Sequence, residues 1–400
     1  MRCVLVRYHE IALKKGNRPY FLRRLKQNVA LALRGLGVAE IKTLPGRLAV
    51  LFDREPDEAE VARCLRSVFG IANFSFAERT APDLEALKAR ILDSLDGARF
   101  GSFRVAAKRA DKSFPMTSPE INRSLGAAVK AKTGMRVDLE APELTIEVEI
   151  LPHEAFFALN RIQGPGGLPV GVTGKVLALI SGGIDSPVAA YRMMQRGCRV
   201  AFVHFHGAPY LDRTSQDKVR ALVRLLVRHQ FSARLYLVPF GEIQRQIVAA
   251  VLRPLRVVLY RRMMLRIAEG IARRERAQAL VTGESLAQVA SQTLENLAVI
   301  GEATALPVLR PLVGMDKQEI VDQARAIETF EISTIPDQDC CQLFVPAHPA
   351  TKANLAEVRK AEELFDVAAM TELGLKGASV EEFHLFDPKA ARESPESDPQ

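Results

Sequence analysis

Apolar and polar residues follow two patterns in the first part of the chain, and each pattern predicts one type of element. The segments RCVLVRY and RLAVLFD alternate like strands with one buried face, whereas RPYFLRRLKQNVALALRGLG repeats apolar residues at helical spacing and ends on glycine. Further along, the helical pattern of DLEALKARILDSL precedes the alternating segment LTIEVEIL. We therefore predict two small α+β domains, residues 1–57 and residues 58–163.

The pattern changes after the glycine- and proline-rich segment at residues 164–175, which we interpret as a linker. The segments VLALI, RVAFVHF and ARLYLVPF are continuous apolar runs, and amphipathic helical patterns separate them. Such runs are typical of strands buried on both faces, so residues 176–390 are predicted to form a doubly wound parallel α/β domain. Ligands of such sheets bind at the carboxyl ends of the strands. Residues 391–400 are predicted to be a disordered acidic tail.

Composition narrows the class of protein. The chain has 400 residues, 48% of them hydrophobic, which is enough for several buried cores. It contains no run of about 18 apolar residues and no secretion leader, so we expect a cytoplasmic protein that is not inserted in a membrane. Its five cysteines form no disulfide framework, which favours a reducing compartment.

The positive charge is concentrated in the N-terminal half. Residues 1–50 carry eleven Lys and Arg against two Asp and Glu, and residues 101–136 carry eight against two. From residue 354 to the end the balance is five against eleven. Such clusters favour a phosphate-rich partner, although a single cluster is equally compatible with a solvated basic helix.

The segment LALISGGIDSPVAAY carries the sharpest chemical signal. An apolar strand ends at Ile180, a glycine turn follows, and Asp185 and Ser186 lie at the start of a helix with Pro187 in its first turn. Glycines let the backbone approach an oxyanion, and the N–H groups of a helix start favour phosphate. We therefore predict a pyrophosphate cradle, with an ordinary strand–turn–helix connection as the alternative.

Two of the five cysteines, Cys340 and Cys341, are adjacent. Neighbouring cysteines do not bridge each other easily, because the resulting ring is strained. The chain shows no C-x-x-C pair for zinc and no set of three cysteines for an iron–sulfur cluster, which favours a redox-active thiol. In contrast, Cys3, Cys64 and Cys198 lie in apolar patterns and are predicted to be buried packing residues.

The SGGxDS segment resembles the pyrophosphate loop of the ATP pyrophosphatase superfamily. Over about residues 1–355 the chain also resembles the tRNA uracil 4-sulfurtransferase family, also called 4-thiouridine synthetase. The segments that carry this resemblance include YHEIALKKGNRPYF, VTGESLAQVASQTLENL, LRPLVGMDKQEI and DCCQLFVPAHPATKA. Some members of the family have a C-terminal rhodanese domain with the persulfide cysteine, and the chain resembles the form without it.

The resemblance implies a ferredoxin-like domain, an RNA-binding THUMP domain and an ATP pyrophosphatase domain. It also implies a reaction in which ATP, with Mg²⁺, adenylates uridine 8 of tRNA at its C4 oxygen and a cysteine persulfide displaces AMP to leave 4-thiouridine. A cysteine desulfurase or a separate rhodanese would supply the sulfur. The family is further linked to a sulfur-carrier protein of thiamine biosynthesis and to homodimers.

The resemblance also implies roles for individual residues, and it assigns no separate metal-binding set. The expected ATP contacts are Leu179, Ile180, Ser181, Gly182, Gly183, Asp185, Ser186, His204, Phe205, Arg261, Gly283 and Gln292. The reaction itself is assigned to Asp185, Lys317 and Cys340 as persulfide carrier, while Cys341 either resolves a disulfide or only packs. From the basic clusters, the expected tRNA contacts are Lys14, Lys15, Arg18, Arg23, Arg24, Lys26, Lys108, Arg109, Lys112 and Arg123.

Two alternatives stay open, and only the second belongs to a different class of protein. The first is a different adenylating enzyme of the same superfamily that acts on RNA, which would not need a thiol after the last α/β strand. The second is a non-catalytic tRNA-binding protein, which would bind tRNA without releasing AMP. A THUMP methyltransferase would need a glycine-rich adenosylmethionine loop, and the sequence shows none.

Overall fold

The computed structural model describes residues 2–110, 112–251, 253–336, 344 and 349–386. The chain divides into two compact units, Met1–Pro169 and Val170–Gln400. The division falls inside the predicted linker, where the sequence is rich in glycine and proline. Each unit is described by itself.

The N-terminal unit is built on one mixed sheet. Its strands are β1 (Arg2–Arg7), β2 (Val38–Leu44), β3 (Arg47–Phe52), β4 (Asn73–Thr80), β5 (Ser102–Arg109), β6 (Arg136–Val137), β7 (Leu144–Ile150), β8 (Ala155–Ala158) and β9 (Ile162–Gln163). Its α-helices are α1 (Arg18–Ala32), α2 (Glu58–Leu65), α3 (Leu84–Ser94) and α4 (Ser118–Thr133), and a 3₁₀ segment spans Glu10–Asn17. Among the described residues the strand order is β2-β3-β1-β4-β8-β7-β5-β6, with β9 paired to β4.

Side chains at the helix starts explain where these helices begin. The carboxylate of Asp57 accepts hydrogen bonds from the first turn of α2, and that of Asp83 does the same for α3. At α4, Thr117 and Glu120 form a reciprocal capping box, and the helix ends at Gly134 with a φ of 72°. The predicted helices of this unit are therefore confirmed. Side-chain caps start α2, α3 and α4, whereas α1 has no such cap and carries Pro19 in its first turn.

A buried ion network joins the first strands of this sheet to β7. The guanidinium of Arg7 on β1 lies 3.0 Å from Glu147 and 3.1 Å from Glu149, and Arg47 on β3 pairs with Glu149 as well. Burial lowers the pKa of Arg7, an effect that Glu147 partly offsets. Because a buried charge must be paired, these four side chains hold the two halves of the sheet in register.

The C-terminal unit is an α/β sheet covered by helices. Its strands are β10 (Lys175–Leu179), β11 (Arg199–His206), β12 (Ser232–Pro239), β13 (Leu280–Val281), β14 (Val308–Leu309) and β15 (Ser379–His384). Its helices are α5 (Asp185–Gln195), α6 (Thr214–Leu226), α7 (Gly241–Ala250), α8 (Arg256–Glu275), α9 (Leu294–Gly301), α10 (Lys317–Ala326), α11 (Phe330–Thr334), α12 (Leu355–Glu362) and α13 (Val367–Gly377). The strand order in the described part of the chain is β14-β13-β10-β11-β12-β15.

The predicted parallel sheet is confirmed, with one addition at its edge. Strands β10 to β14 pair in parallel, whereas β15 pairs with β12 in the antiparallel direction. The segment SVEEFH of β15 is mostly exposed, and only Phe383 in it is buried. It therefore lacks the continuous apolar run by which the other strands are recognised in the sequence.

The described cysteines follow the sequence prediction in two cases out of three. Cys3 and Cys198 are buried, but Cys64 on α2 is only half-buried, because its side chain lies toward Glu60 near the helix surface. The prediction of a fully buried Cys64 is therefore wrong. Cys340 and Cys341 lie outside the described residues. Within the described ranges, no helix is long and apolar enough to cross a membrane.

We expect Glu149→Gln to destabilise the N-terminal sheet locally. The change would leave Arg47 largely buried without its carboxylate, and breaking such a pair costs about 3 kcal/mol. Native-state amide hydrogen exchange of β1 and β7 measures this loss as a lower free energy of opening. The matched control, Glu60→Gln, breaks the exposed pair with Arg63 and should leave exchange unchanged. Equal exchange in both variants would contradict a structural role for the network.

Candidate functional site

A cavity of about 220 Å³ opens at the carboxyl ends of β10, β11 and β13, and we call it the carboxyl-edge cavity. The register explains why these ends meet, since Leu179 of β10 lies beside Val203 of β11 and Ala178 beside Val281 of β13. The residues that line the cavity are Leu179, Ile180, Ser181, Gly183, Asp185, Ser186, Val203, His204, Phe205, Arg261, Met264, Thr282, Gly283, Glu284 and Gln292.

The structure thus brings together all the predicted nucleotide contacts except Gly182, which is buried in the same turn. Ser186 fixes the shape of this turn, because its hydroxyl accepts a hydrogen bond from the Ser181 N–H at 2.9 Å. The Gly183 N–H donates to the Ser181 hydroxyl at 3.3 Å. Helix α5 then begins at Asp185. The loop and the helix start together offer backbone N–H groups to an anion.

Gly283 is needed for the two sides of the cavity to meet. A Cβ atom at this position would lie 2.7 Å from the Ser186 nitrogen and 2.8 Å from its Cα. No other residue type leaves room for the start of α5 so close to the end of β13. The loop after β13 therefore closes the cavity by direct backbone contact.

His204 and its neighbour His206 occupy the end of β11. The ring of His204 is buried and lies 3.0 Å from the Ile180 carbonyl through Nδ1 and 3.4 Å from the Ser215 hydroxyl through Nε2. These contacts fix the ring against the end of β10. Burial, with smaller effects of His204 and Arg220, lowers the pKa of His206 to about 4, so His206 is neutral at neutral pH.

Asp185 and Lys317 meet at the mouth of the cavity, although 132 positions separate them in the sequence. The ammonium of Lys317 donates to Asp185 Oδ1 at 2.5 Å, and the amide of Gln288 donates to Oδ2 at 3.0 Å. Asp316 caps α10 in a capping box, which sets Lys317 at the first position of that helix. A cation and a carboxylate thus stand beside the glycine turn, where they can interact with phosphate oxygens.

Sequence reasoning predicted Arg261 as a nucleotide contact but missed Glu284 and Arg310, which pair with each other at the cavity wall. The Glu284 carboxylate is buried at the cavity wall and pairs with Arg261 at 3.1 Å and Arg310 at 2.7 Å, while Thr282 donates to it at 2.9 Å. An acidic residue directly after a buried strand, in the segment VTGES, was the available signal. Its pairing with the two arginines could not be inferred, because they lie 23 and 26 positions away.

The side-chain oxygen of Gln292, on the cavity wall, has no hydrogen-bond partner among the described residues. Gln292 is 7% exposed, lines the cavity, and its side-chain oxygen is buried without a donor. A buried acceptor of this kind is costly unless a ligand supplies a donor. The position suits a bound group that carries an N–H, such as the exocyclic amine of a purine.

The predicted tRNA contacts lie in the N-terminal unit. One group follows the 3₁₀ segment and α1, where Lys15, Arg18, Arg23 and Lys26 are exposed and Lys14 and Arg24 are partly buried. The other group surrounds the end of β5 and the start of α4, where Lys108, Lys112 and Arg123 are exposed and Arg109 is partly buried. Both groups present cations to solvent, as a phosphate-binding surface requires.

The described residues on either side of the two cysteines contact one part of the C-terminal unit. Before the cysteines, the Ile335 carbonyl accepts a hydrogen bond from the ammonium of Lys218 on α6 at 2.6 Å. After them, the Phe344 ring contacts Tyr210, with ring centroids 6.0 Å apart. Tyr210 lies in the loop that follows β11. Both flanks therefore contact elements that follow the carboxyl end of β11.

Family models match nearly the whole chain. The model described as the ThiI ferredoxin-like domain matches residues 3–75, and the THUMP domain model matches residues 78–160. The model described as thiamine biosynthesis protein (ThiI) matches residues 171–367. These matches confirm the predicted order of a ferredoxin-like, a THUMP and a catalytic domain.

Individual proteins agree with the family models. A probable tRNA sulfurtransferase of Thermus thermophilus is 53% identical over 93% of this chain and 92% of its own length. A probable tRNA sulfurtransferase of Moorella thermoacetica is 47% identical over 90% of this chain and 92% of its own length. A crystal structure of a 4-thiouridine synthetase–RNA complex with bound ATP matches 96% of this chain and 100% of that chain, at 36% identity and a TM-score of 0.87.

We expect Gly283→Ala to weaken ATP binding by between about fivefold and about a hundredfold, because overpacking against the Ser186 backbone costs about 1–3 kcal/mol. Isothermal titration calorimetry with ATP measures the change. Gly314→Ala is the matched control, since a Cβ atom there meets no atom within 4 Å. Similar affinities for both variants, with unchanged melting temperatures, would show that the close contact is not required.

Proposed function

Because the chain belongs to the tRNA sulfurtransferase family, we propose that it uses ATP to activate uridine 8 of tRNA and replaces the C4 oxygen of that base with sulfur. Sulfur transfer to tRNA follows from membership of the family. Our proposal adds which base of tRNA is modified and that the sulfur arrives as a persulfide. The observation that carries it is the Asp185–Lys317 pair beside the glycine turn. A carboxylate and a cation at this place are what phosphoryl-group activation needs.

The carboxyl-edge cavity supports ATP as the activating substrate. The similar 4-thiouridine synthetase structure holds ATP and RNA. In this chain the N–H groups at the start of α5, after the glycine turn, suit the phosphates, and the unpartnered oxygen of Gln292 suits the adenine amine. Leu179, Phe205 and Met264 supply apolar walls for the base.

Magnesium fits this site as an ion that travels with ATP. The described part of the chain has no group of three or more His, Cys, Asp or Glu that could hold a metal by itself. Mg²⁺ is commonly bound by one or two carboxylates together with substrate phosphates, and Asp185 provides such a carboxylate. When bound, the ion would neutralise phosphate charge. Asp185 would then exchange its contact with Lys317 or Gln288 for the ion.

Adenylation turns the C4 oxygen of uridine from a poor leaving group into a good one. The C4 oxygen of uridine attacks the α-phosphorus of ATP, an O–P bond forms, and the bond to pyrophosphate breaks. Lys317, freed from Asp185, offsets the charge that develops on the departing pyrophosphate oxygens. The backbone N–H groups of the glycine turn hold the same oxygens in place.

We propose Cys340 as the persulfide carrier. Its terminal sulfur attacks C4 of the activated uridine, a C–S bond forms, and the C4–O bond breaks with the oxygen leaving in AMP. A second thiolate, from Cys341 or an added dithiol, then attacks the Cys340 sulfur, which releases 4-thiouridine and leaves a disulfide. With Cys341 this disulfide is the strained ring of neighbouring cysteines, which a reductant opens readily. Both cysteines lie between Ile335 and Phe344, the two described residues that contact Lys218 and Tyr210. These contacts near the carboxyl end of β11 support a role for the cysteines at this edge of the sheet.

The proposed reaction needs a sulfur donor and a site of action. We propose that a cysteine desulfurase or a separate rhodanese supplies the persulfide, and that the same chemistry serves a sulfur-carrier protein of thiamine biosynthesis in the cytoplasm. The basic residues of the N-terminal unit would hold tRNA phosphates, and a homodimer is the proposed assembly. The residue limits of the domains, 1–57, 58–163 and 176–390, also remain predictions.

We expect the purified protein to form 4-thiouridine when it is supplied with tRNA, magnesium ATP and a persulfide donor. Near-ultraviolet absorbance and nucleoside chromatography detect the product. A tRNA with cytidine at position 8 is the matched control and should gain no sulfur. No product with a demonstrably active donor would contradict the proposed activity, and equal labelling of both tRNAs would contradict the choice of uridine 8.

We expect Cys340→Ser to abolish 4-thiouridine formation, because the serine hydroxyl cannot carry a persulfide sulfur. Cys341→Ser should retain product formation when an added dithiol releases the product, and should lose most of it without one. AMP release measured in the same reactions shows whether activation survives. Full activity of both variants without a dithiol would remove the cysteines from the mechanism.

A further inference from the structure

Asn296 connects two segments of the C-terminal unit that are far apart in the sequence. Its side chain on α9 is fully buried. The amide nitrogen donates to the Ala290 carbonyl at 2.7 Å and to the Ala350 carbonyl at 2.9 Å, and the amide oxygen accepts from the Ala353 N–H at 2.9 Å. One side chain therefore satisfies backbone groups of two separate segments.

The first segment belongs to the carboxyl-edge cavity. Ala290 begins the short 3₁₀ turn that ends at Gln292, and Gln292 lines the cavity. The preceding residues also reach the cavity mouth, since Gln288 donates to Asp185 at 3.0 Å. A shift of the Ala290 carbonyl would thus move side chains that face the ligand.

The second segment is the chain that follows the two cysteines. Ala350 lies nine positions after Cys341. Thr293 strengthens this contact, because its hydroxyl donates to the Thr351 carbonyl at 2.7 Å while it also caps α9. The Ala350 N–H in turn donates to the Pro254 carbonyl at 2.9 Å.

Buried ion pairs attach α12, the helix that follows this segment, to α8. Arg262 on α8 is 1% exposed and contacts Glu362 of α12 at 2.8 Å and Glu302 at 2.9 Å. Burial would raise the pKa of Glu362, but hydrogen bonds from Arg262 and Arg266 lower it overall. The chain after Ala353 therefore has a second attachment, and Asn296 is not required to hold α12 itself.

We propose that Asn296 is a positioning residue for the sulfur-transfer step. It holds the chain that leaves the cysteines against the loop that lines the nucleotide cavity, so that the sulfur carrier meets the activated uridine. This inference rests on the proposed function. Only an amide side chain provides two donors and an acceptor in one plane, whereas an aspartate of the same shape would turn an acceptor toward the Ala290 and Ala350 carbonyls.

The test compares Asn296→Asp with Asn354→Ala in the full-length protein. Asn354 caps α12 in the same part of the chain but hydrogen-bonds only its own helix start, at the Ala356 N–H. For each variant, 4-thiouridine and AMP are measured in one reaction with tRNA, magnesium ATP and a persulfide donor, and ATP affinity is measured by calorimetry. A milder variant, Thr293→Val, removes the contact to the Thr351 carbonyl together with the cap of α9, and it guards against loss of folding in Asn296→Asp. Asn354→Ala controls for the loss of a helix cap by itself.

We expect Asn296→Asp to form at least about tenfold less 4-thiouridine per AMP released, because small misplacements of reacting groups have effects of this size. Thr293→Val should change this ratio in the same direction by less, and Asn354→Ala should keep the wild-type ratio. The inference would be overturned if 4-thiouridine and AMP fell in parallel in both Asn296→Asp and Asn354→Ala. If Asn296→Asp does not fold, an unchanged ratio in Thr293→Val would overturn it instead. Either result leaves the proposed function intact. Absence of 4-thiouridine from the wild-type reaction would overturn both.

Discussion

The close backbone contact between Gly283 and the start of α5 is the constraint on which the rest of the site depends. Because a Cβ atom at position 283 would lie 2.7 Å from the Ser186 nitrogen, the end of β13 and the glycine turn can meet only with glycine there. This contact brings the loop after β13 to the mouth of the cavity. Glu284 then reaches Arg261 and Arg310, and Gln288 reaches Asp185.

Buried ion pairs also connect separate segments at three places in the described part of the molecule. The Arg7 network joins strands of the N-terminal sheet, Glu284 joins α8 to the end of β14, and Arg262 joins α8 to α12. A buried ion without its partner is strongly destabilising, so each network admits few alternative arrangements of the segments that it connects. Asn296 does the same with neutral hydrogen bonds, between the cavity loop and the chain that follows the cysteines.

The site combines a cavity held by hydrogen bonds with contacts to the described residues on either side of the cysteines. Backbone hydrogen bonds hold the glycine turn, and the His204 ring is fixed between Ile180 and Ser215. In the proposed reaction, two steps of different chemistry, activation of an oxygen and delivery of a sulfur, occur at one carbon atom. Ile335, Phe344 and Ala350 attach the described flanks of the cysteine segment to the C-terminal unit, and in the proposed reaction these attachments would help bring the thiols to that edge.

The sequence by itself determined the elements and most of the cavity, because apolar period, helix caps and a glycine turn are local signals. The run from Leu179 to Ser186 was recognisable since its strand, turn and helix start are adjacent in the chain. Only the tertiary structure decided which distant groups meet: Lys317 with Asp185, Arg310 with Glu284, and Asn296 with Ala350. The tertiary structure also decided that the edge strand β15 is exposed and that Cys64 is half-buried, because burial depends on what packs against a residue from elsewhere in the chain. Pairing across 26 to 132 positions leaves no periodic trace in the sequence, and it is set by the register of the sheet and the close contact at Gly283.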